Sequence, residues 1–372
     1  MLERTPKAAT GDDSGFDRSV PYNGLKPLPP AKVVETVPVL KAVITAREQL
    51  AALNTACRLI PNPWLITSTI PLREARASSE IENIVTTNDE LFRAAWKVDP
   101  DPSPQTKEAL RYNDALHAAM DSLDRLPVSM RTAVETCSIL QTTRAEIRSG
   151  TGTYIGNPVT GGRVYTPPEG RDVIEEHLRG WESFLYSDHG LDPLVAIALA
   201  HYQFEAIHPF YDGNGRTGRI VNLALLVQEK LLTQPVLYLS GRIVDTKSDY
   251  YRRLRAVTEE GDWQGWILYL VNAIEEAARE ATALIDAVSA SRDELVETIR
   301  ARTNIASAQE FAEVLVVNPY VRINDVTKAG LAQRQTASRW LHELERLGVL
   351  ELIEVGRERI FVNRRVLDVL TA

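Results

Sequence analysis

His208-Pro209-Phe210-Tyr211-Asp212-Gly213-Asn214-Gly215-Arg216-Thr217-Gly218-Arg219 forms a polar loop between two apolar helical stretches, one ending near Ala206 and the next beginning near Thr217. Gly213 and Gly215 let the backbone approach a ligand closely, and the N–H groups that open the following helix make a nest for phosphate oxygens. Arg216 and Arg219 add charged donors. Asp212 is a hard oxygen ligand suited to a Mg²⁺ shared with phosphates, and His208 supplies a base that ordinarily titrates near neutrality. Base, metal ligand, nest and two arginines are the parts that in-line transfer at phosphorus needs, because that chemistry rests on positioning and charge neutralisation.

Helical periodicity surrounds the loop. It runs from Val173 to Val288, interrupted at residues 213–215 and by the short segment Pro235 to Leu239. Upstream, from Val34 to Trp96, Val39, Val43, Ala46, Leu50 and Leu53 recur at four- and three-residue steps and predict the buried stripe of a helix that stops at Pro61-Asn62-Pro63. Leu110, Leu116, Met120 and Val134 continue the helical pattern. Tyr154 to Pro168 changes character: Gly156-Asn157, Gly161-Gly162 and Val164-Tyr165 predict a β-hairpin. Near the C-terminus, helices over Ala306–Val316 and Arg334–Leu347 precede Leu350–Ile353 and Ile360–Val362 around Gly356, a helix–helix–ribbon order that predicts a winged helix. Residues 1–30 carry Gly, Pro and Asp without apolar period and read as an extended arm. The expectation is a mainly α protein: arm 1–30, helical N-terminal extension 31–110, helical catalytic domain 111–288 and winged helix 289–372.

A length of 372 residues fits two or three domains. The formal net charge of −8 argues against a protein built chiefly to bind a polyanion. Cys57 and Cys137 are far apart and form no CxxC, so neither a disulfide framework nor a zinc cluster is expected, and a reducing cytoplasm fits. The longest apolar runs, such as Leu194 to Ala200, are too short to span a bilayer.

The loop fills every specified position of the signature HxFx(D/E)GNGRxxR, and here the chain resembles the Fic family. The resemblance implies a Mg²⁺-dependent protein adenylyltransferase, moving AMP from ATP to a Ser, Thr or Tyr hydroxyl of a target protein or of the enzyme itself. It implies that His208 deprotonates the hydroxyl and Asp212 holds Mg²⁺. Gly213, Asn214 and Gly215 would form the anion hole, with Arg216 and Arg219 on the outer phosphates and Thr217 and Gly218 in the same nucleotide-binding run. Phe210 is expected to pack beneath the loop and Pro209 to set its entry angle. The hairpin resembles the family's flap, which docks the target by strand addition; Arg163, Val164 and Tyr165 lie on its returning strand as candidate nucleotide contacts. Tyr250, next to Tyr251, is the candidate on the adenine side.

Ser78-Ser79-Glu80-Ile81-Glu82-Asn83 fits the family's inhibitory pattern (S/T)xxxE(G/N) at Ser78, Glu82 and Asn83. Its position ahead of the core implies a brake in which Glu82 occupies Arg219. Two other functions stay open: the reverse reaction, in which Glu82 positions water to remove AMP, and a DNA-binding regulator that only senses nucleotide. For the latter, Arg334, Arg339, Arg346, Arg357 and Arg359 lie on the candidate recognition helix and wing, but residues 301–372 hold ten basic against nine acidic side chains. Glu343 and Glu345 on the same helix favour a protein contact, and the resemblance implies a homodimer. His201 belongs to no motif position and reads as a packed or capping histidine.

Overall fold

The computed structural model describes residues 16–60, 62, 64–156 and 161–371. Three helices open the chain, α1 (Val37–Leu59), α2 (Trp64–Ile81) and α3 (Asn88–Ala95), followed by α4 (Pro104–Leu123) and α5 (Met130–Gln141). A short hairpin, β1 (Ile155–Gly156) and β2 (Arg163–Tyr165), precedes α6 (Arg171–Tyr186), α7 (Pro193–Ile207) and α8 (Asn214–Gln228). Then come α9 (Leu239–Asp245), α10 (Lys247–Glu260) and the 40-residue α11 (Trp263–Arg302). The C-terminal part contains α12 (Ala308–Val317), β3 (Tyr320–Val321), α13 (Ile323–Lys328), α14 (Arg334–Arg346), β4 (Glu351–Val355), β5 (Glu358–Val362) and α15 (Arg364–Thr371). The chain is mainly α, as expected.

The buried residues of α1 are Val39, Val43, Ala46, Leu50 and Leu53, the stripe that the spacing predicts. α7 and α8 lie at the centre. α7 is apolar nearly all round and buried along most of its length, the condition of a core helix. Trp181 of α6 and Trp266 of α11 each insert an indole N–H against an α7 carbonyl, Ala200 O at 3.0 Å and Ala198 O at 2.7 Å. The loop at 208–213 is therefore a short link between two immobilised helices. Helix α8 begins at Asn214, three residues earlier than the sequence suggests, so Gly213 is its cap and Gly215 and Arg216 lie in its first turn.

Pro61 and Pro63, residues 1–15 of the expected arm, and the hairpin tip 157–160 lie outside the described residues. Residues 16–23 brace the hairpin: the Tyr22 N–H donates to Thr166 O at 3.0 Å and Thr166 Oγ1 to Arg18 O at 2.6 Å. Helices cross two of the expected domain boundaries, α4 at 110/111 and α11 at 288/289. In the C-terminal part the sheet order is β3-β5-β4, and the β4–β5 hairpin stands where the ribbon is expected. It leans on α3 and the turn after it: Arg322 donates to Trp96 O and Lys97 O, and Asn88 to Thr371 O.

Candidate active site

α7 ends by placing His208 in the left-handed region, φ 50° and ψ 60°, with its N–H still bonded to Phe204 O at 3.0 Å. Such a backbone persists in a non-glycine residue only when its surroundings impose it. Here they include Arg148, fully buried, whose Nε donates to His208 O at 2.7 Å and whose Nη2 donates to Ile207 O at 3.1 Å and Pro168 O at 2.5 Å. The Arg148 N–H also donates to Pro209 O at 3.0 Å. Burial, followed by the Arg148 charge, pushes the His208 imidazole down to about 4, so it is neutral at neutral pH and able to accept a proton. Its Nδ1 has no hydrogen-bond partner among the described residues; the Glu205 carbonyl is near enough to favour the protonated ring but short of a formed bond.

Asn214 folds back on the loop. Its Oδ1 accepts from the Phe210 N–H and its Nδ2 donates to Phe210 O, both at 2.8 Å. That exchange ties the side chain to the loop, so Asn214 faces the nest with its backbone N–H. Phe210 is buried beneath the loop. Gly213 takes φ 81°, a conformation that favours glycine. The Thr217 N–H is the first to close on the helix, reaching Gly213 O at 2.9 Å, which leaves the first-turn N–H groups of α8 without an intrahelical acceptor. α5 fixes Asp212 by its backbone: Gln141 Nε2 donates to Asp212 O at 2.5 Å. The Asp212 side chain is consequently free to face solvent, 77% exposed, with Arg216 Nη2 at 3.5 Å.

The two arginines are both buried and both occupied. Arg216 pairs with Glu108 of α4 at 2.5 Å, a partner that no motif announces. Arg219 donates from Nε to Ser78 Oγ at 2.7 Å and from Nη2 to Ser78 O at 2.9 Å and Glu82 Oε1 at 3.0 Å. Burial pushes the Glu82 carboxyl up, but the Arg219 charge and hydrogen bond outweigh it and hold the group below its ordinary value. Glu82 also covers the nest. A Cβ on Gly215 would lie 2.3 Å from Glu82 Oε1, so only glycine leaves room for the carboxylate there. Asn83 follows at φ 64°, a left-handed residue that ends the helical turn and that asparagine tolerates. Upstream on α2, Glu74 is buried and accepts from the Ser240 N–H at 2.7 Å, from Ser240 Oγ and from Tyr112 at 3.3 Å, fastening the helix to α9 and α4.

Four expected nucleotide contacts face elsewhere. Thr217 is buried against Cys137 of α5, and Gly218 faces Glu205 and Phe204 of α7 rather than the nest. Tyr165 is buried, with its hydroxyl on Ala206 O at 2.8 Å and its ring against Phe16 and Tyr22. Tyr250 is buried too, its hydroxyl 2.9 Å from His201 Nε2. Its neighbour Tyr251 is 38% exposed, so of the two it is the tyrosine that a ligand can reach. His201 is a packed core histidine, as its place outside the motif predicts. On the hairpin, Arg163 covers the Tyr154 ring at 4.6 Å and donates to Ser19 O, while Val164 is half-buried beside Arg18 and Arg252.

Three family descriptions match the chain: Fic/DOC family N-terminal over 40–121, Fic/DOC family over 104–226, and Protein adenylyltransferase SoFic-like, C-terminal domain, over 292–366. The chain belongs to the Fic/DOC family. It is 33% identical over 116 residues to a protein named Protein adenylyltransferase Fic from Drosophila willistoni, covering 31% of this chain and 22% of the relative. It is 30% identical over 156 residues to Protein adenylyltransferase fic-1 from Caenorhabditis elegans, covering 39% and 29%. The match thus spans less than a third of either Fic relative. A crystal structure of a Fic family protein from Desulfovibrio desulfuricans superposes with a TM-score of 0.60 at 22% identity, covering 90% of this chain and 98% of that one, a likeness of fold. No helix among the described residues is long and apolar enough to cross a membrane.

Proposed function

We propose that the chain is a protein adenylyltransferase that moves AMP from ATP to a hydroxyl of a target protein and is held back by Glu82. The observation that carries this reading is the junction of α7 and α8. It presents a neutral imidazole, open first-turn N–H groups and a solvent-exposed carboxylate on one loop, with the last arginine of that loop bonded to Glu82. His208 takes the proton of the hydroxyl as its oxygen attacks the α-phosphorus and pyrophosphate leaves, while the first-turn N–H groups of α8 donate to the anionic oxygens of the α-phosphate. Arg219, buried beside the nest, supports a role on the outer phosphates once Glu82 gives it up.

The residues fit Mg²⁺. Among the described residues there is no cluster of three or more acidic, histidine or cysteine ligands, and Mg²⁺ on a nucleotide needs none: one or two carboxylates and phosphate oxygens suffice. Asp212, exposed at the mouth of the nest, would hold it. When bound, Mg²⁺ neutralises charge on the phosphates. The target is a protein with an exposed hydroxyl, and the two unpaired cysteines fit action in a reducing cytoplasm. The near-balanced charge of residues 301–372 supports a protein contact, including a second copy, over DNA.

The test is transfer of label from α-phosphate-labelled ATP to protein by wild type, Glu82→Gly and Glu82→Gly/His208→Ala in the presence of Mg²⁺. Strong labelling by the single variant alone is expected. Equal labelling by the double variant would remove His208 from its role.

A further inference from the structure

Arg148 lies outside every motif of the sequence, seven residues before β1, yet it meets more of the catalytic machinery than any other side chain of its segment. Its guanidinium binds three carbonyls from two places: Ile207 and His208 at the end of α7, and Pro168 where the hairpin returns to the body. Its own N–H adds Pro209. Its Nη1 has no hydrogen-bond partner among the described residues and the bonds its guanidinium does form all go to main-chain carbonyls, with the Glu169 carboxylate acting on the charge only at longer range. A second tie runs parallel at the surface, where the Tyr211 hydroxyl accepts the N–H groups of Ser149 at 3.2 Å and Gly150 at 3.0 Å.

A group that needs only to fill space would not be a buried guanidinium without a directly bonded carboxylate, because burying one costs far more than burying a methionine. What arginine alone supplies is a rigid planar fork able to hold carbonyls from separate segments in one geometry. We propose that Arg148 is a positioning residue that locks the imidazole of His208 and the stem of the hairpin into one unit, so that a target strand docked on the hairpin is delivered in register with the base. The inference rests on the transferase reading for its purpose, though not for its geometry. Charge acts alongside position. His208 faces the Arg148 cation from the hairpin stem, Glu82 from α2, Asp212 from its own loop and the Glu205 carbonyl from α7, and Arg148 is the one cation in that set.

Arg148→Lys and Arg148→Met, made in the full chain carrying Glu82→Gly, separate the parts. Lysine keeps the charge but loses the fork. It should speed amide exchange in the hairpin stem and lower kcat on the order of a hundredfold, as expected for a misplaced base, with the KM for ATP unchanged. The His208 ring, followed by NMR, should still titrate low. In the methionine variant the same titration should move up, while burial, the larger cause, still holds it below an ordinary histidine. Arg148→Lys with exchange and kcat unchanged would overturn the proposal, and that variant decides if methionine prevents folding. If Glu82→Gly itself moved no AMP, the transferase reading would fail, while hairpin exchange and the His208 titration would still judge Arg148.

Discussion

Replacing Glu82 tests the brake with a magnitude that the structure sets. Glu82 gives Arg219 one charge-assisted hydrogen bond at 3.0 Å, and Arg219 keeps two more from Ser78 at 2.7 and 2.9 Å, so the arginine stays in place when Glu82 is lost. An enclosed bond of this kind contributes ~1.5–3 kcal/mol. The Glu82 side chain is 35% exposed, so solvent screening reduces this to about 1–2 kcal/mol. If that free energy is what withholds Arg219 from the nucleotide, Glu82→Gly should raise initial transfer about 5–30-fold, and Glu82→Gln, which keeps a bond without the charge, should fall between. Label from α-phosphate-labelled ATP, measured at saturating target, reads the rate. Against the upward push of burial, Arg219 holds the Glu82 pKa down, so the pair's stabilisation is present above the ordinary glutamate value of 4.5 and is lost as pH falls through the lower folded value. The stability gap between wild type and Glu82→Gln should therefore close on acidification below 4.5. Variants whose stability shows the pair broken, yet whose transfer rate equals wild type, would refute the brake.

Burial raises Glu74 to about 7 in the fold, so the folded chain binds a proton that the unfolded chain has released, and wild-type stability should fall relative to Glu74→Gln as pH rises from 4.5 to about 7, followed by urea unfolding. Asn214→Ala strands the buried N–H and carbonyl of Phe210 and should cost ~2–4 kcal/mol by the same assay; a cost near zero would show that the loop is held elsewhere. Tyr251→Ala should weaken ATP binding by calorimetry, whereas Tyr250→Phe should lower the unfolding midpoint and leave ATP affinity unchanged; the opposite pattern would restore Tyr250 to the adenine side.

The loop at 208–219 and the Glu82–Arg219 pair were legible because each is local in sequence: a dozen consecutive residues carry the proposed base, nest, metal ligand and arginines, and six carry Ser78, Glu82 and Asn83. The stripe on α1 was legible because five apolar residues repeat at helical steps over a helix of 23 residues. β3, of two residues, α13, of six, and α15, of eight, left too little period to be read. Side-chain direction was also hidden. Tyr250 and Tyr251 are adjacent and identical in type, and only the packing of α10 against α11 decides which one is buried. Glu108 and Arg148 belong to no motif because their partners are remote in sequence: Arg216 lies 108 residues from Glu108, and the carbonyls of Ile207 and His208 lie 59 and 60 residues from Arg148.

Whether the loop directs attack to the α-phosphate is decided by incubating Glu82→Gly with ATP labelled at the α-phosphate and, in parallel, at the γ-phosphate. Adenylyl transfer leaves α-label on protein and γ-label in released pyrophosphate, with both lost in Glu82→Gly/His208→Ala. Label from the γ-phosphate on protein would show phosphoryl transfer and overturn the adenylyltransferase reading.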